Sequence, residues 1–339
     1  MSKTIVAVLG AGSWGTALAN VVAENGHDVR LWTHRAEQAD EINNQHTNSK
    51  YMGDNPLNVK LVATADMQAA VLDAEIVLSV VPTQATRQVA SQLNLVLQEL
   101  QQEVTIVGAT KGIEPETYKL AVEMITEEVD PALVDGVAVI AGPSHAEGVI
   151  KHDPTLVTAV SEDLAIAERV QEVFSNATFR VYTNDDVIGS ELAGALKNVV
   201  AIGAGALDSL GYDANAKAAL FTRGLAEIAR LGQAFGADPI TFMGLAGVGD
   251  LFATATSVHS RNFRAGYQLG EGKSLAEVVA NMGMVIEGIS TTKVAYELAQ
   301  QKHVDMPITE AIYQVLYEDV SPDDAIAKLM GRAVQKEGK

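Results

Sequence analysis

Short apolar runs alternate with amphipathic stretches through the first half of the chain, and the two periods predict a repeated strand–helix unit. Ile5-Val6-Ala7-Val8-Leu9 is a continuous apolar run, the pattern of a strand buried on both faces. Residues 13–25 then carry a helical pattern that Gly26 ends, and 28–33 form a second strand. Further units follow as a helix over 65–73, a strand over 76–81 closed by Pro82, and a helix from Gln84 onward. The strand 104–110, a helix near 117–128 and the strand 137–141 come next, the last running into Gly142-Pro143-Ser144. Ser144 with Glu147 three residues on makes a capping-box signature, which predicts a helix start there. Strands at 156–160 and 179–182, with a helix between them, complete the series. Such alternation predicts a doubly wound, mostly parallel sheet, whose ligands bind beyond the carboxyl ends of the strands.

After about Asp185 the strand signals stop. Residues 187–210 read as one long helix and 216–235 as a second, ended by Gly236. Shorter helices are expected around Leu251 and over 261–269, 275–281 and 291–301. The last two start at Pro307 and at Ser321-Pro322, an N-cap followed by proline at the first helical position. At 339 residues the chain is long for a single core. The expected class is α/β: a Rossmann-type, doubly wound N-terminal domain over 1–185, joined directly to an all-helical C-terminal domain over 186–339.

Between the first strand and the first helix stands Gly10-Ala11-Gly12-Ser13-Trp14-Gly15, the G-x-G-x-x-G spacing in the context that gives it meaning. Gly10 permits a tight turn, Gly12 lets a pyrophosphate approach the backbone, and Gly15 lets helix and strand pack closely. The helix start offers free N–H groups and a favourable dipole to the phosphates. A dinucleotide is therefore the expected cofactor. The second strand ends Thr33-His34-Arg35, where an NAD-specific unit usually carries an acid for the ribose 2′-hydroxyl. Solvated residues at a strand end would look the same. The missing acid and the added base together favour acceptance of a 2′-phosphate, so NADP is preferred while NAD stays open.

The formal charge of −19 argues against nucleic acid or an anionic membrane as partner. An anionic substrate would need local lysines and arginines to overcome that field. Cysteine is absent, which removes disulfides, thiolate metal sites and a cysteine nucleophile, and suits a reducing cytoplasm. The opening residues lead straight into the first strand without a signal-peptide pattern. No uncharged apolar stretch approaches the ~18–20 residues of a membrane helix. The seven histidines are scattered, with no H-E-x-x-H, so no metal site is expected. Neither a G-x-S-x-G elbow nor a Walker loop is present.

Lys197 is the only charged residue between Glu191 and Asp208, in a helix apolar nearly all round. A lysine buried there loses hydration, its pKa falls toward working pH, and it becomes a candidate general acid/base. The bland alternative, a lysine snorkelling to the surface, suits a helix end better than this central position beside Asn198. Lys111 follows a strand end, which fits a solvated loop lysine equally well. Asp250, in Gly249-Asp250-Leu251, fits a helix N-cap or a functional carboxylate. Ser260-Arg261-Asn262 opens a helix with Arg264 one turn along, either a phosphate site or an ordinary basic helix start.

Taken in order, Gly10-Ala11-Gly12-Ser13-Trp14-Gly15, Thr110-Lys111-Gly112, Gly142-Pro143-Ser144, Leu196-Lys197-Asn198, Gly249-Asp250-Leu251, Ser260-Arg261-Asn262 and Val285-Ile286-Glu287-Gly288 closely resemble the bacterial NAD(P)-dependent sn-glycerol-3-phosphate dehydrogenase family. The resemblance spans nearly the whole chain. It implies cofactor contacts from Ser13, Trp14, the His34–Arg35 corner, Lys111, Ala146, Arg261, Val285 and Glu287. It implies a substrate site lined by Lys111, Gly142, Ser144, Lys197, Asn198, Asp250, Ser260, Arg261 and Asn262, with Lys197 the proton acceptor. It also implies reversible reduction of dihydroxyacetone phosphate for phospholipid synthesis, and leaves a homodimer open. Two rivals share the dinucleotide turn: another dehydrogenase with a helical second domain, and a non-catalytic NAD(P) sensor.

Overall fold

A computed structural model of the chain describes residues 3–334 and residue 336. The outermost residues of the two expected domains, 1–2, 335 and 337–339, lie outside the described residues. Eight strands form one sheet: β1 (Ile5–Leu9), β2 (Asp28–Trp32), β3 (Val62–Thr64), β4 (Ile76–Ser79), β5 (Val104–Gly108), β6 (Val134–Ala141), β7 (Thr155–Val160) and β8 (Phe179–Asn184). Their spatial order is β3-β2-β1-β4-β5-β6-β7-β8. Every neighbouring pair is parallel except β6–β7. Helices α1 (Ser13–Glu24), α2 (Ala36–Gln45), α3 (Ser49–Met52), α4 (Met67–Val71), α5 (Thr86–Leu100), α6 (Ala121–Glu128), α7 (Ala146–Val149) and α8 (Leu164–Phe174) connect the strands. The antiparallel step falls where the only connecting helix is the single turn α7, too short to carry the chain back across the sheet.

Strand β1 shows why its run is apolar at every position. Val6 and Val8 join a buried cluster with Leu18, Leu31 and Phe174, whereas Ala7 and Leu9 join one with Val77, Leu93 and Ile106. Both faces of the strand are covered, so neither tolerates a polar residue.

The sheet ends at Asn184 and α9 (Val187–Ser209) begins three residues later. Asp186 caps it, accepting the N–H of Gly189 at 2.8 Å. Seven helices follow: α10 (Ala214–Ala234), α11 (Asp250–Ala255), α12 (Arg261–Gly270), α13 (Leu275–Met282), α14 (Glu287–Lys302), α15 (Pro307–Tyr317) and α16 (Pro322–Met330). With a mean hydropathy of 1.3, α9 is long and apolar enough to cross a membrane. Glu191, Lys197 and Asp208 interrupt it, and 83% of its most apolar window is buried inside the protein. The long helix is therefore the axis of the second core. A Cβ added at Gly205 would lie 1.9 Å from the Phe263 carbonyl oxygen, and one at Gly266 would lie 1.8 Å from that of Ile202. The backbones of α9 and α12 touch, which only glycine allows.

Three expectations about helix starts are corrected. Helix α6 begins at Ala121 instead of 117, because Glu116 and Tyr118 adopt positive φ and Ile113 bridges to Leu120. Helix α14 begins at Glu287 instead of 291. The capping box at Ser144 does not form: His145 is the N-cap of α7, and the Ser144 hydroxyl donates to the Gly142 carbonyl at 3.0 Å instead. Helices α2 and α3 and the edge strand β3 add elements that the sequence pattern does not signal.

Glu227 of α10, 2% exposed, supplies the start of α15 with its cap. It accepts the N–H groups of Ile308 and Thr309 at 2.7 and 3.0 Å and the Thr309 hydroxyl at 3.1 Å. Burial pushes its carboxyl up to about 7. The folded state holds this proton more tightly than the unfolded chain. The stabilisation is therefore complete at acid pH and is lost as pH rises from about 4.5 through 7. Glu227→Gln removes the titration. The melting temperature of the parent relative to this variant is expected to fall between pH 5 and 8, and a difference independent of pH would refute the assignment.

Candidate active site

The glycine turn is shaped for a phosphate. Gly10 has φ +117°, and a Cβ there would lie 2.7 Å from the Val80 carbonyl oxygen. A Cβ at Gly15 would lie 1.9 Å from the Gly10 carbonyl oxygen, whereas one at Gly12 meets nothing within 4 Å. Two glycines thus bring β1, β4 and α1 together, and the third leaves the start of α1 open. Gly12 is the N-cap of α1 and provides no side-chain cap, so the first-turn amides face that opening. The indole N–H of Trp14 and the Nε of Arg35 are buried with no hydrogen-bond partner among the described residues. Orphaned donors beside an open helix N-terminus fit a dinucleotide.

At the end of β2, His34 is exposed and Arg35 donates from Nη2 to Gln38 Oε1 at 2.9 Å. The Arg35 guanidinium lies 5.8 Å from the centre of the Tyr51 ring and Lys50 Nζ lies 5.4 Å from it. Ser13 Oγ donates to the Tyr51 carbonyl at 3.1 Å. Lys50 and Tyr51 therefore join this corner, and nothing in the sequence pattern singles them out, since they sit on the one-turn α3.

The buried centre lies where β5, β6, α9 and α11 converge. Lys197, 5% exposed, donates to Asp250 Oδ1 at 2.5 Å and to the Thr254 hydroxyl at 2.6 Å. Lys111 donates to Asp250 Oδ2 at 2.8 Å and to the Gly142 carbonyl at 3.2 Å. Asp250, 1% exposed, thus binds one ammonium on each oxygen. It is the first residue of α11 but not its cap, because a π-helical turn, Leu245–Gly249, precedes it and aims its side chain inward. That turn is packed against Phe242, whose carbonyl oxygen would be 2.1 Å from a Cβ at Gly247. Burial brings the Lys197 ammonium down to about 7, with Asp250 opposing and Lys111 adding to the shift. Two ammonium groups on one carboxylate leave a local excess of positive charge in a chain of net charge −19.

The start of α12 is set beside this centre. Asn262 Nδ2 donates to Asn198 Oδ1 at 2.8 Å, and Asn262 Oδ1 accepts the N–H of Gly288 at 2.9 Å. Ser260 caps α12, accepting the Phe263 N–H at 3.2 Å. Arg261 Nη1 donates to the Val285 carbonyl at 2.8 Å, and Arg264 is exposed. Glu287 accepts from the N–H and hydroxyl of Thr83, at 3.2 and 2.9 Å, beside Gly112. Burial raises its pKa. Ala146 is buried at the start of α7, next to His145, whose Nε2 donates to the Ala253 carbonyl at 2.9 Å. Thr254 and His145 are additions to the expected set. A threonine one turn after Asp250 is visible in the sequence, but its role depends on the direction in which α11 leaves the π turn.

A buried lysine of lowered pKa, in a chain that also carries a dinucleotide turn, has the parts of a nicotinamide-dependent dehydrogenase, where a side chain must manage the proton that accompanies a hydride. Models of the NAD-dependent glycerol-3-phosphate dehydrogenase N-terminus and C-terminus match residues 5–167 and 186–327. The chain belongs to that family. It is 60% identical over 332 residues to glycerol-3-phosphate dehydrogenase (NAD(P)+) of Limosilactobacillus fermentum, covering 98% of both chains. It is 59% identical over 334 residues to the protein of the same name from Leuconostoc mesenteroides, covering 98% of this chain and 99% of that one. A crystal structure of glycerol-3-phosphate dehydrogenase from Coxiella burnetii matches with a TM-score of 0.90 at 38% identity, covering 97% of this chain and 99% of that one.

Proposed function

We propose that this chain reversibly reduces dihydroxyacetone phosphate to sn-glycerol 3-phosphate with NAD(P)H, as a supply for glycerophospholipid synthesis. The observation that carries the reading is the buried Lys197–Asp250–Lys111 centre beside the start of α12. Residues 1–185 hold the cofactor in this reading, and 186–339 supply the substrate site. Gly10, Gly12, Gly15, Ser13, Trp14 and Arg35 would hold the dinucleotide, together with Ala146, Val285 and Glu287. When bound, the reduced nicotinamide supplies the hydride to C2 of the ketone.

The chain's own residues do the rest. Lys197, as ammonium, gives a proton to the oxygen of C2 in reduction, and as amine takes it back in oxidation. Lys111, reaching over the Gly142–Ser144 loop, places a fixed positive charge at that oxygen. Asp250 holds both lysines in place and supports the charged form of Lys197. Ser260, Arg261 and Asn262 take the phosphate at the N-terminus of α12, so the non-reacting end of the substrate positions the carbonyl. Asn198 and Gly288 already fix the amide of Asn262, so less freedom is lost on binding. Cytoplasmic location, homodimer formation and the absence of membrane insertion belong to the same reading and rest on composition and family membership.

Following the absorbance of NADPH or NADH when dihydroxyacetone phosphate is added tests the reaction. Fast oxidation is expected, and none with either cofactor, from protein that binds it, overturns the substrate. Arg35→Ala is expected to lower kcat/KM for NADPH by about tenfold or more relative to NADH, the scale of one charge-assisted hydrogen bond. An unchanged ratio would remove Arg35 from cofactor selection.

A further inference from the structure

Glu191 is a buried carboxyl that the chemistry above does not use. It lies on α9, six residues before Lys197, and is 7% exposed. Its Oε1 accepts the N–H of Val122, the second residue of α6, at 3.1 Å. The residue before this helix, Leu120, has no side-chain acceptor to cap it, so Glu191 does this from another element. Glu123 accepts the N–H of Leu120, at 2.8 Å, and pairs with Lys119 at 3.5 Å, so it caps neither of the first two helical amides.

Leu120 closes the loop that starts at Lys111, through its bridge to Ile113. One carboxyl therefore joins the helix carrying Lys197 to the end of the segment carrying Lys111. Both lysines have to reach the two oxygens of Asp250, at 2.5 and 2.8 Å, and a shift of α9 against this loop would pull them apart. We propose that Glu191 is a positioning residue for the reaction, which sets the spacing of Lys197 and Lys111 by capping α6 from α9. The inference rests on the acid–base reading of Lys197. Burial pushes the Glu191 carboxyl up to about 8, and Glu123 on α6 is the neighbouring charge that adds to the rise. The protonated group still accepts at Oε1, so the acceptor oxygen, not the charge, does the capping.

The test compares steady-state reduction by the parent, Glu191→Gln, Glu191→Leu and Lys197→Ala from pH 6 to 9.5. Gln keeps the acceptor oxygen and is expected to stay within about threefold of the parent. Leu fills the space but leaves the Val122 amide uncapped. Its kcat is expected to fall tenfold or more, since a 1 Å misplacement can cost about 10²-fold. The KM for the cofactor should not move, and the alkaline limb of the pH profile should shift. A role in folding alone would leave kcat and that limb unchanged in folded protein. A folded Leu variant with the parent's kcat and pH profile overturns the proposal, and so does a Gln variant as impaired as Leu. Should Leu not fold, Glu191→Asp, which withdraws the carboxyl by one methylene, takes its place under the same criterion. Turnover of Lys197→Ala within tenfold of the parent would overturn the acid–base reading itself, a separate result.

Discussion

Lys197→Ala is expected to lower kcat for dihydroxyacetone phosphate reduction roughly 10³-fold, within the range of a lost general acid, with little change in cofactor KM. The lysine is sealed in α9, fixed by Asp250 and Thr254, and brought by burial to about 7, where both protonation states are accessible near neutral pH. In the parent, reduction should decline as pH rises through about 7 and oxidation should increase over the same range. Neither limb should survive in the alanine variant. A small primary amine added to the assay should restore part of the rate. Stability gives an independent control, because its sign is opposite to that of Glu227. The folded chain binds this proton less tightly than the unfolded chain, so between about pH 7 and 10.5 stability rises with pH. At or below neutrality the ammonium is a cost to the fold. Lys197→Met should therefore melt no lower than the parent at pH 7 while losing activity. Turnover of the alanine variant within tenfold of the parent would rule out the acid–base role.

The parts of this site that the sequence makes legible are those in which chemistry and local structure coincide. Gly10, Gly12 and Gly15 are visible because the turn, the phosphate approach and the helix packing each demand glycine within six residues. Lys197 is visible because the one charge in the apolar stretch between Glu191 and Asp208 has few bland explanations. The rest depends on tertiary direction. Asp250 reads as well as an N-cap until the π turn before it rotates its side chain toward both lysines. Ser144 carries a capping box in sequence, yet Gly142 takes its hydroxyl. The strand β3 has three residues with Val62 exposed, too few for a period of two to appear. The antiparallel β6–β7 pairing follows from the shortness of α7, which alternation alone does not encode. Glu191 and Glu227 look like ordinary helix glutamates until the helix ends that they cap are brought to them from about 70 to 80 residues away.

Asp250→Asn is expected to cost about 10²-fold in kcat at pH 7.5 and to move the pH profile of reduction toward acid. The substitution keeps the shape and removes the one negative charge that two ammonium groups share. The amide can turn its oxygen to only one lysine, so its N–H groups then face the other. Lys111, no longer neutralised, repels the Lys197 ammonium more strongly, and the Lys197 pKa falls below about 7. The acid form becomes scarce at the assay pH, yet it can be repopulated. Lowering the pH to about 6 should therefore recover part of the rate in Asp250→Asn and none in Lys197→Ala. The fold should suffer as well, and more at acid pH, where the Lys197 ammonium is left buried without its carboxylate. That loss should appear as a lower melting temperature, whereas Lys197→Met shows none. If kcat fell with the pH profile unmoved, Asp250 would act on the geometry of Lys111 or the substrate instead of on the proton of Lys197. The two variants thus separate the group that carries the proton from the group that sets its affinity.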